Sequence, residues 1–126
     1  MLKRVLLVDD ADFMLDMLQM LLSGAGYVIA GVALSGMEAL EFLRTSLEEG
    51  EAIVIVVVDF HMPKLDGVET IRRIKALLPK VKILLISANS TLPVALKAKE
   101  VGVDAFIVKP FESKTLLEAV RKLSQP

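Results

Sequence analysis

Four apolar stretches of this chain are each followed by a polar side chain that could take part in chemistry. Asp9 and Asp10 follow the first stretch, Asp59 the second, Ser87 the third and Lys109 the fourth. The stretches are Lys3–Val8, Ala52–Val58, Val81–Ile86 and Ala105–Val108. In an open parallel α/β sheet, the carboxyl ends of the strands share one edge, where ligands bind. We therefore expect three carboxylates, a hydroxyl and an ammonium around one pocket.

The grouped carboxylates indicate a site for a hard divalent metal, because three Asp side chains without a compensating cation would repel one another. Mg²⁺ takes oxygen ligands and keeps several waters, so one or two direct carboxylates suffice. A carboxylate can also act as a nucleophile and form an aspartyl phosphate. Phosphoryl transfer needs alignment, metal and positive charge, and here Lys109 would supply the charge and Ser87 a hydroxyl donor. In the plainer interpretation, these residues are loop acids, a turn serine and a surface lysine.

The composition excludes several classes of protein. The chain has 126 residues, which suits a single domain over residues 1–126, and its formal net charge of -1 gives no reason to expect nucleic acid or an anionic membrane as a partner. It has no cysteine for disulfide or thiolate chemistry, and its one histidine, His61, argues against a zinc site. The longest apolar run, Ala52–Val58, is far shorter than the ~20 residues of a membrane span, and no signal peptide pattern precedes the first strand. We expect a cytoplasmic protein without membrane insertion.

Strand-like and helix-like stretches alternate along the whole chain. Strands are predicted at Lys3–Val8, Tyr27–Val32, Ile53–Val58, Val81–Ile86 and Ala105–Val108. Helices are predicted at Asp12–Ser23, from Gly36 through Leu43, at Val68–Leu78, at Leu92–Val101 and after Ser113, which is expected to be the N-cap of the last one. Repeated βα units with continuous apolar strands predict a parallel sheet covered on both faces by helices. Periodicity does not determine the strand order, although right-handed crossovers limit the choices.

Two predicted helices carry more apolar surface than packing on one sheet face needs. In the first, the apolar side chains spread over roughly 220° of the helix, whereas packing on a sheet needs little more than ~100°. The excess predicts either packing against the fifth helix or a methionine-containing docking surface for a partner helix. In the fourth, Val94, Ala98 and Val101 share one face, and Leu92 and Leu96 lie nearly opposite. Those two leucines fit scattered surface residues and a partner surface equally well.

Taken together, four motifs resemble the receiver domain of two-component response regulators, most closely the single-domain chemotaxis (CheY-like) type. The motifs are Val-Asp-Asp at 8–10, Asp-Phe-His-Met-Pro-Lys-Leu-Asp-Gly at 59–67, Ile-Ser-Ala at 86–88 and Phe-Ile-Val-Lys-Pro-Phe at 106–111. Each motif alone is weak evidence. Their spacings, 49 residues from Asp10 to Asp59, 28 to Ser87 and 22 more to Lys109, extend the resemblance over essentially the whole chain. It implies a doubly wound five-stranded parallel sheet in the order 2-1-3-4-5 with five helices, a flavodoxin-like α/β fold.

The resemblance also implies a role for each acidic residue. Asp59 matches the phosphoacceptor. Asp10 matches a direct ligand of Mg²⁺ (or Mn²⁺), together with Asp59 and the backbone carbonyl of His61, and Asp9 would reach the metal through water. The side chain of His61 is also a candidate for tuning dephosphorylation, as is Asn89, two residues beyond Ser87. The plainer interpretation leaves the His61 side chain exposed in its loop.

Three further residues match the switching part of the family pattern. Ser87 would bond a phosphoryl oxygen, and Lys109 would pair with the phosphate, with Lys109–Pro110 as a candidate cis peptide. Phe106 matches the switch aromatic, although plain packing also explains it. Ser87 stands where Thr is common and keeps the hydroxyl, whereas Phe106 replaces a frequent Tyr and lacks the OH group. The stretch between Gly36 and Asp59 exceeds the usual family length by a few residues, and no function is attached to it.

The function implied is a phosphorylation-dependent signalling receiver. Its partners would be a sensor histidine kinase or phosphotransfer protein and a downstream target or fused output domain, contacted through helix four, strand five and helix five. The same face is a candidate for homodimerisation, and no direct contact with nucleic acid is implied. No enzyme activity is expected beyond self-phosphorylation from a phosphodonor and autodephosphorylation. The alternatives are a Mg²⁺-dependent phosphatase with an aspartyl-phosphate intermediate, a flavodoxin-like cofactor binder, and an assembly module in which phosphorylation is incidental.

Overall fold

Five parallel strands form one sheet with helices on both faces. The computed structural model describes residues 3–59, 67–88 and 92–125, with only the backbone for Asp59 and for residues 92–94. The strands are β1 (Arg4–Val8), β2 (Val28–Ala33), β3 (Ile55–Asp59), β4 (Lys82–Ser87) and β5 (Ala105–Val108). The helices are α1 (Asp12–Gly24), α2 (Gly36–Glu48), α3 (Gly67–Leu77), α4 (Leu92–Glu100) and α5 (Ser113–Leu123). The strand order β2-β1-β3-β4-β5 confirms the predicted doubly wound, flavodoxin-like arrangement.

The predicted N-cap of the last helix is wrong. Ser113 is the first helical residue, and Glu112 is the N-cap, with extended backbone angles and no capping bond from its side chain. The carbonyl oxygen of Glu112 accepts hydrogen bonds from the backbone N–H groups of Thr115 and Leu116, at 3.0 and 3.3 Å. Ser35 does cap α2, because its hydroxyl accepts the N–H of Glu38 at 3.2 Å. A serine near a helix start therefore acts as the cap only where its own backbone is extended, as the backbone of Ser35 is.

The strands in the middle of the sheet bury side chains on both faces. In β1, Leu6 and Val8 pack in the cluster that includes residues of α2, α3 and α4. Val5 and Leu7 pack in the cluster that includes residues of α1 and α5. All four side chains are buried, which explains why β1 is a continuous apolar run instead of an alternating one. The apolar strands thus hold the sheet rigid between two helical layers.

Helix α1 confirms the predicted packing of its excess apolar surface against the fifth helix, whereas the predicted docking surface for a partner helix stays a prediction. Met17 and Leu21 are partly buried in the cluster shared with α5, as packing against the fifth helix requires. Phe13 and Met20 remain 75% and 69% exposed. In α4, Ala98 is buried and Leu96 is 57% exposed, as the predicted faces require. The apolar side chains that the sheet does not need are therefore divided between helix packing and the surface.

Three helices end in the same glycine-dependent turn. At the end of α2, Gly50 has a φ of 73°, its N–H donates to the carbonyl of Leu47, and the N–H of Glu51 donates to the carbonyl of Ser46. This pair of bonds is a Schellman motif, which needs a left-handed residue after the helix. Gly26 after α1 and Gly102 after α4 have φ of 96° and 98° and the same pair of bonds. After α2, the chain continues through residues 51–54 into β3.

The carboxylate of Asp104 ties three elements together at the amino ends of β4 and β5. Its Oδ2 accepts hydrogen bonds from the Lys75 ammonium at 2.9 Å and from the backbone N–H of Ile83 at 2.8 Å. The same ammonium donates to the carbonyl of Val81 at 2.8 Å. Asp104 stands directly before β5, Lys75 belongs to α3, and Ile83 belongs to β4. These bonds therefore hold the starts of both strands against α3.

No helix in the described parts of the chain combines the length and the apolar character needed to cross a membrane.

We expect Gly50→Ala and Gly24→Ala to change stability in opposite directions. A Cβ at either position would meet no atom within 4 Å, so neither effect involves a clash. Gly50 has a positive φ, and alanine there should lower the free energy of unfolding by ~1–2 kcal/mol. Gly24 is helical, and alanine there should raise it by ~0.5–1 kcal/mol. Urea unfolding followed by circular dichroism measures both, and equal effects would contradict the role given to the Gly50 turn.

Candidate functional site

Strand pairing brings the sequence-predicted residues to one edge of the sheet. Val8 pairs with Val58, so Asp9 follows β1 at the level where Asp59 ends β3. On the other side of β3, Asp59 pairs with Ile86, directly before Ser87 at the end of β4. Ser87 pairs in turn with Val108, directly before Lys109. Asp59 therefore ends a strand whose two neighbours end in the acidic pair and in the serine.

The two adjacent acids after β1 have different surroundings. Asp9 is 1% exposed, and its Oδ1 accepts the backbone N–H of Ala11 at 2.9 Å. Its own N–H donates to the carbonyl of Ala33 at the end of β2, at 3.0 Å. Asp10 is exposed. Asp9 therefore shapes the turn from β1 into α1 and fixes the backbone that presents Asp10 to solvent.

Ser87 and Lys109 are joined through the backbone. Ser87 is fully buried, and its backbone carbonyl oxygen accepts a hydrogen bond from the backbone N–H of Lys109 at 2.8 Å. Lys109 is half-buried, and the peptide bond from Lys109 to Pro110 is cis, as the family resemblance implied. The hydroxyl and the ammonium are thus held on consecutive strand ends of the same edge.

Phe106 lies partly buried against the cluster formed with α2, α3 and α4. It pairs with Leu85 across β4 and β5. On the outer side of this region, Val108 is 37% exposed and Leu96 of α4 is 57% exposed. Phe106 therefore lies inside the strand pair β4–β5, and exposed apolar side chains occur nearby in the chain on β5 and on α4.

Several predicted site residues lie outside the described parts of the chain. His61 and Asn89 are among them, and so is the side chain of Asp59. Among the described side chains, no three acidic or histidine groups converge as metal ligands. The two side chains that follow β1 at this edge, Asp9 and Asp10, carry carboxylate oxygens, which suit Mg²⁺ better than a softer metal.

The start of α3, directly after residues 60–66, is stabilised by a charge cluster. Glu69 accepts hydrogen bonds from Arg73 at 3.0 Å and from Arg72 at 2.6 Å. The bond from Arg73 is the main reason that the pKa of the Glu69 carboxyl is lowered, with a smaller contribution from Arg72. The negative charge of an acid in the first turn also interacts favourably with the positive end of the helix dipole. The first turn of α3 is therefore well held.

Comparison with known proteins agrees with this geometry. The family model of the response regulator receiver domain matches residues 5–121. The chemotaxis protein CheY of Thermotoga maritima is 38% identical over 98% of both chains. The transcriptional regulatory protein ZraR of Escherichia coli is 34% identical over 94% of this chain, which covers 25% of that protein.

A solved structure supports the same relationship at the level of the fold. The complex of CheX, CheY, BeF₃ and Mg²⁺ from Borrelia burgdorferi contains a chain that superposes with a TM-score of 0.90 at 27% identity, over 98% of this chain and 90% of that one. The strand order, the positions of Asp9, Ser87 and Lys109 at the strand ends, and the family match over residues 5–121 all agree. The chain therefore belongs to the response regulator receiver domain family and is a CheY-like receiver of two-component signalling.

Proposed function

We propose that this receiver takes a phosphoryl group onto Asp59 from the phosphohistidine of a sensor histidine kinase or phosphotransfer protein. The observation that carries the proposal is the position of Asp59, at the end of a strand flanked by Asp9 and Asp10 on one side and by Ser87 on the other. Lys109 follows one strand further along the same edge. A nucleophile, oxygen ligands for a metal and a cation thus lie at one edge, which is what phosphoryl transfer needs.

The transfer step would use the Asp59 carboxylate as the nucleophile. One of its oxygens forms a bond to phosphorus while the bond from phosphorus to the imidazole nitrogen breaks, and the electron pair remains on that nitrogen. Lys109 would pair with the phosphoryl oxygens. Mg²⁺ or Mn²⁺, when bound, would neutralise charge that develops on the transferred group. Its protein ligands would be Asp10, Asp59 and the His61 backbone carbonyl, with Asp9 connected through water.

The contacts of Asp9 suggest how this chain divides the work between two adjacent acids. Asp9 is buried and bonded to the N–H of Ala11, so its carboxylate is held in place before any ligand arrives. Asp10 is exposed and needs no rearrangement of the core to reach a metal. A fixed acid beside an accessible one gives a preformed site that loses little conformational entropy on binding.

Ser87 and Phe106 would convert phosphorylation into a change of surface. The Ser87 hydroxyl would move toward the phosphoryl oxygens. The hydrogen bond from the Lys109 backbone N–H to the Ser87 backbone carbonyl would carry part of that movement to the end of β5. Phe106, two residues before Val108, would then turn inward and repack α4, β5 and α5. The new phosphoryl contacts would favour one of two states, so the change is a population shift.

The partners and the place of action follow from this function. A downstream target protein or a fused output domain would bind the face of α4, β5 and α5, where Leu96 and Val108 are exposed, and a second copy could use the same face. His61 and Asn89 would tune the lifetime of the phosphorylated state by their positions near Asp59 and Ser87. The receiver would act in the cytoplasm, where it meets the kinase.

Treatment with acetyl phosphate should phosphorylate the wild-type protein once, and only when Mg²⁺ is present. Intact-mass spectrometry should show the mass of one added phosphoryl group, absent from the variant Asp59→Asn, which keeps the size of the side chain and removes the nucleophile. Asp16→Asn, an exposed acid of α1 away from the strand edge, is the matched control and should be phosphorylated like the wild type.

Other results of this experiment would favour the alternative functions. Catalytic turnover of an external phosphoester such as p-nitrophenyl phosphate would indicate a phosphatase. A yellow purified protein with bound flavin would indicate a cofactor binder. No adduct on a folded protein, with partner binding unaffected by Asp59→Asn, would indicate an assembly module.

Asp10→Asn should stabilise the metal-free protein and remove its response to Mg²⁺. Without metal, the substitution removes one of the neighbouring negative charges, which should raise the free energy of unfolding by ~0.5–1 kcal/mol. At a Mg²⁺ concentration of about ten times Kd, the wild type should gain about 1.4 kcal/mol from binding, and the variant should gain nothing measurable. Urea unfolding with and without MgCl₂ measures both effects, with Asp16→Asn as the control. An unchanged Mg²⁺ response in Asp10→Asn would remove Asp10 from the metal site.

A further inference from the structure

A second concave site lies at the amino ends of the strands, at the opposite pole from Asp59. It has a volume of about 740 Å³ and lies between the ends of α2 and α3 and the chain entering β3. Ile53 and Val54, directly before β3, line it, whereas Asp59 ends β3 six residues after Ile53. At ~3.3 Å per residue in a strand, the two sites are about 20 Å apart. The cavity is therefore separate from the proposed phosphorylation site.

The walls of this cavity are mostly apolar. Leu43, Ile53 and Val81 are almost fully buried on its inner side. Leu47, in the last turn of α2, is 54% exposed at its mouth. The volume falls in the range of ~300–1,000 Å³ that is common for small-molecule sites, which are lined largely by apolar side chains. The walls thus suit an apolar body of small-molecule size.

The segment between α2 and β3 forms one wall. Residues 47 and 50–54 line the cavity, and the Schellman turn at Gly50 directs them back toward β3. Glu51 is held by an ion pair with Arg4 of β1 at 2.8 Å. This segment is therefore fastened by the helix-ending turn and by the ion pair to β1, and it forms a defined wall.

The charged residues around the cavity are mainly lysines. Lys3, Lys80 and Lys82 line it, and Glu51, its only acidic lining residue in the described chain, is neutralised by Arg4. The Lys3 ammonium donates to the carbonyl of Ser124. Lys82 has Asp104 4.0 Å away, and Lys80 forms no ion pair among the described residues. The carbonyls at the end of α2 are already bonded within the Gly50 turn, so they do not require these lysines.

We propose that this cavity binds a dissolved small amphipathic anion, with an apolar aromatic or aliphatic body between α2 and α3 and a single anionic group beside Lys80 and Lys82. Apolar walls favour burial of the body, and the excess of lysines favours one negative charge at the mouth. The receiver would then have a second input, independent of phosphoryl transfer, at the pole away from Asp59.

The test uses the whole protein and two probes of nearly equal shape. The first, 1-anilinonaphthalene-8-sulfonate, is an anion, and the second, N-phenyl-1-naphthylamine, has the same aromatic body without the charge. Fluorescence titration should show saturable binding of one molecule of either probe, with the anion bound more tightly. Ala52→Trp, which fills the cavity from its exposed wall, should abolish saturable binding of both probes.

Charge reversal separates binding in the cavity from a general effect of net charge. Lys80→Glu should weaken binding of the sulfonate probe about fivefold and change that of the neutral probe less than twofold. Lys99→Glu reverses an equally exposed lysine on α4, away from the cavity, and should change neither. Equal effects of the two reversals on the sulfonate probe would show that the dye follows net charge, and would overturn the proposal.

Mapping by ¹H–¹⁵N spectra identifies where the probe binds. The largest probe-induced shifts should fall on residues 47–54 and 77–82. Shifts that centre on Phe13 and Met20 of α1, or on Leu96 of α4, would assign binding to those exposed apolar side chains and overturn the proposal. Absence of saturable binding would do the same. Cosedimentation with phosphatidylglycerol vesicles, lost in Lys80→Glu, would assign the site to a lipid bilayer and overturn the proposal of a dissolved ligand.

Discussion

The parallel pairing of β1 with β3 is the constraint on which the site depends. Val8 opposite Val58 sets the level at which both strands end, so Asp9 and Asp10 come beside Asp59 without any special loop. This register is held because both strands bury their side chains on both faces, and a slip of one residue would exchange the side chains that fill the two closely packed clusters. The polar edge is thus fixed by the apolar core beneath it, and the chemistry of the edge needs only short turns.

The two ends of the parallel strands differ in polarity, because all strands begin at one end of the sheet and finish at the other. At the carboxyl ends, four of the five strands end at or directly before a polar residue, and two of these residues, Asp9 and Ser87, are buried. At the amino ends, the chain arrives from helix ends, and apolar side chains such as Leu43 and Leu47 border the cavity. The sheet therefore has a polar edge at the carboxyl ends of its strands and an apolar cavity at their amino ends.

Much of the fold could be predicted from the sequence, and the reasons for the failures are local. The buried strands appear as continuous Val, Ile and Leu runs, and their predicted ends lie within two residues of the observed ones, whereas α2 continues five residues beyond the predicted Leu43, to Glu48. Strand order came from the family resemblance, since no periodicity encodes it. Ser113 was misplaced because the residue before it, Glu112, had already taken the extended cap conformation. The bonds from Ala11 to Asp9 and from Lys109 to Ser87 use backbone N–H groups, which carry no sequence signal.

The Asp104 bridge has a consequence for how any movement spreads through the sheet. Asp104 holds the start of β5 to Ile83 of β4 and to Lys75 of α3. The amino ends of β4 and β5 are therefore the fixed ends of this strand pair. A displacement at Ser87 would rotate β4 and β5 about their amino ends, so the atomic displacement would decrease from Ser87 toward Asp104. The bridge would thereby limit how much of a movement at the carboxyl ends of the strands reaches their amino ends. A movement at the carboxyl ends of the strands and a movement at their amino ends would then be largely independent of each other.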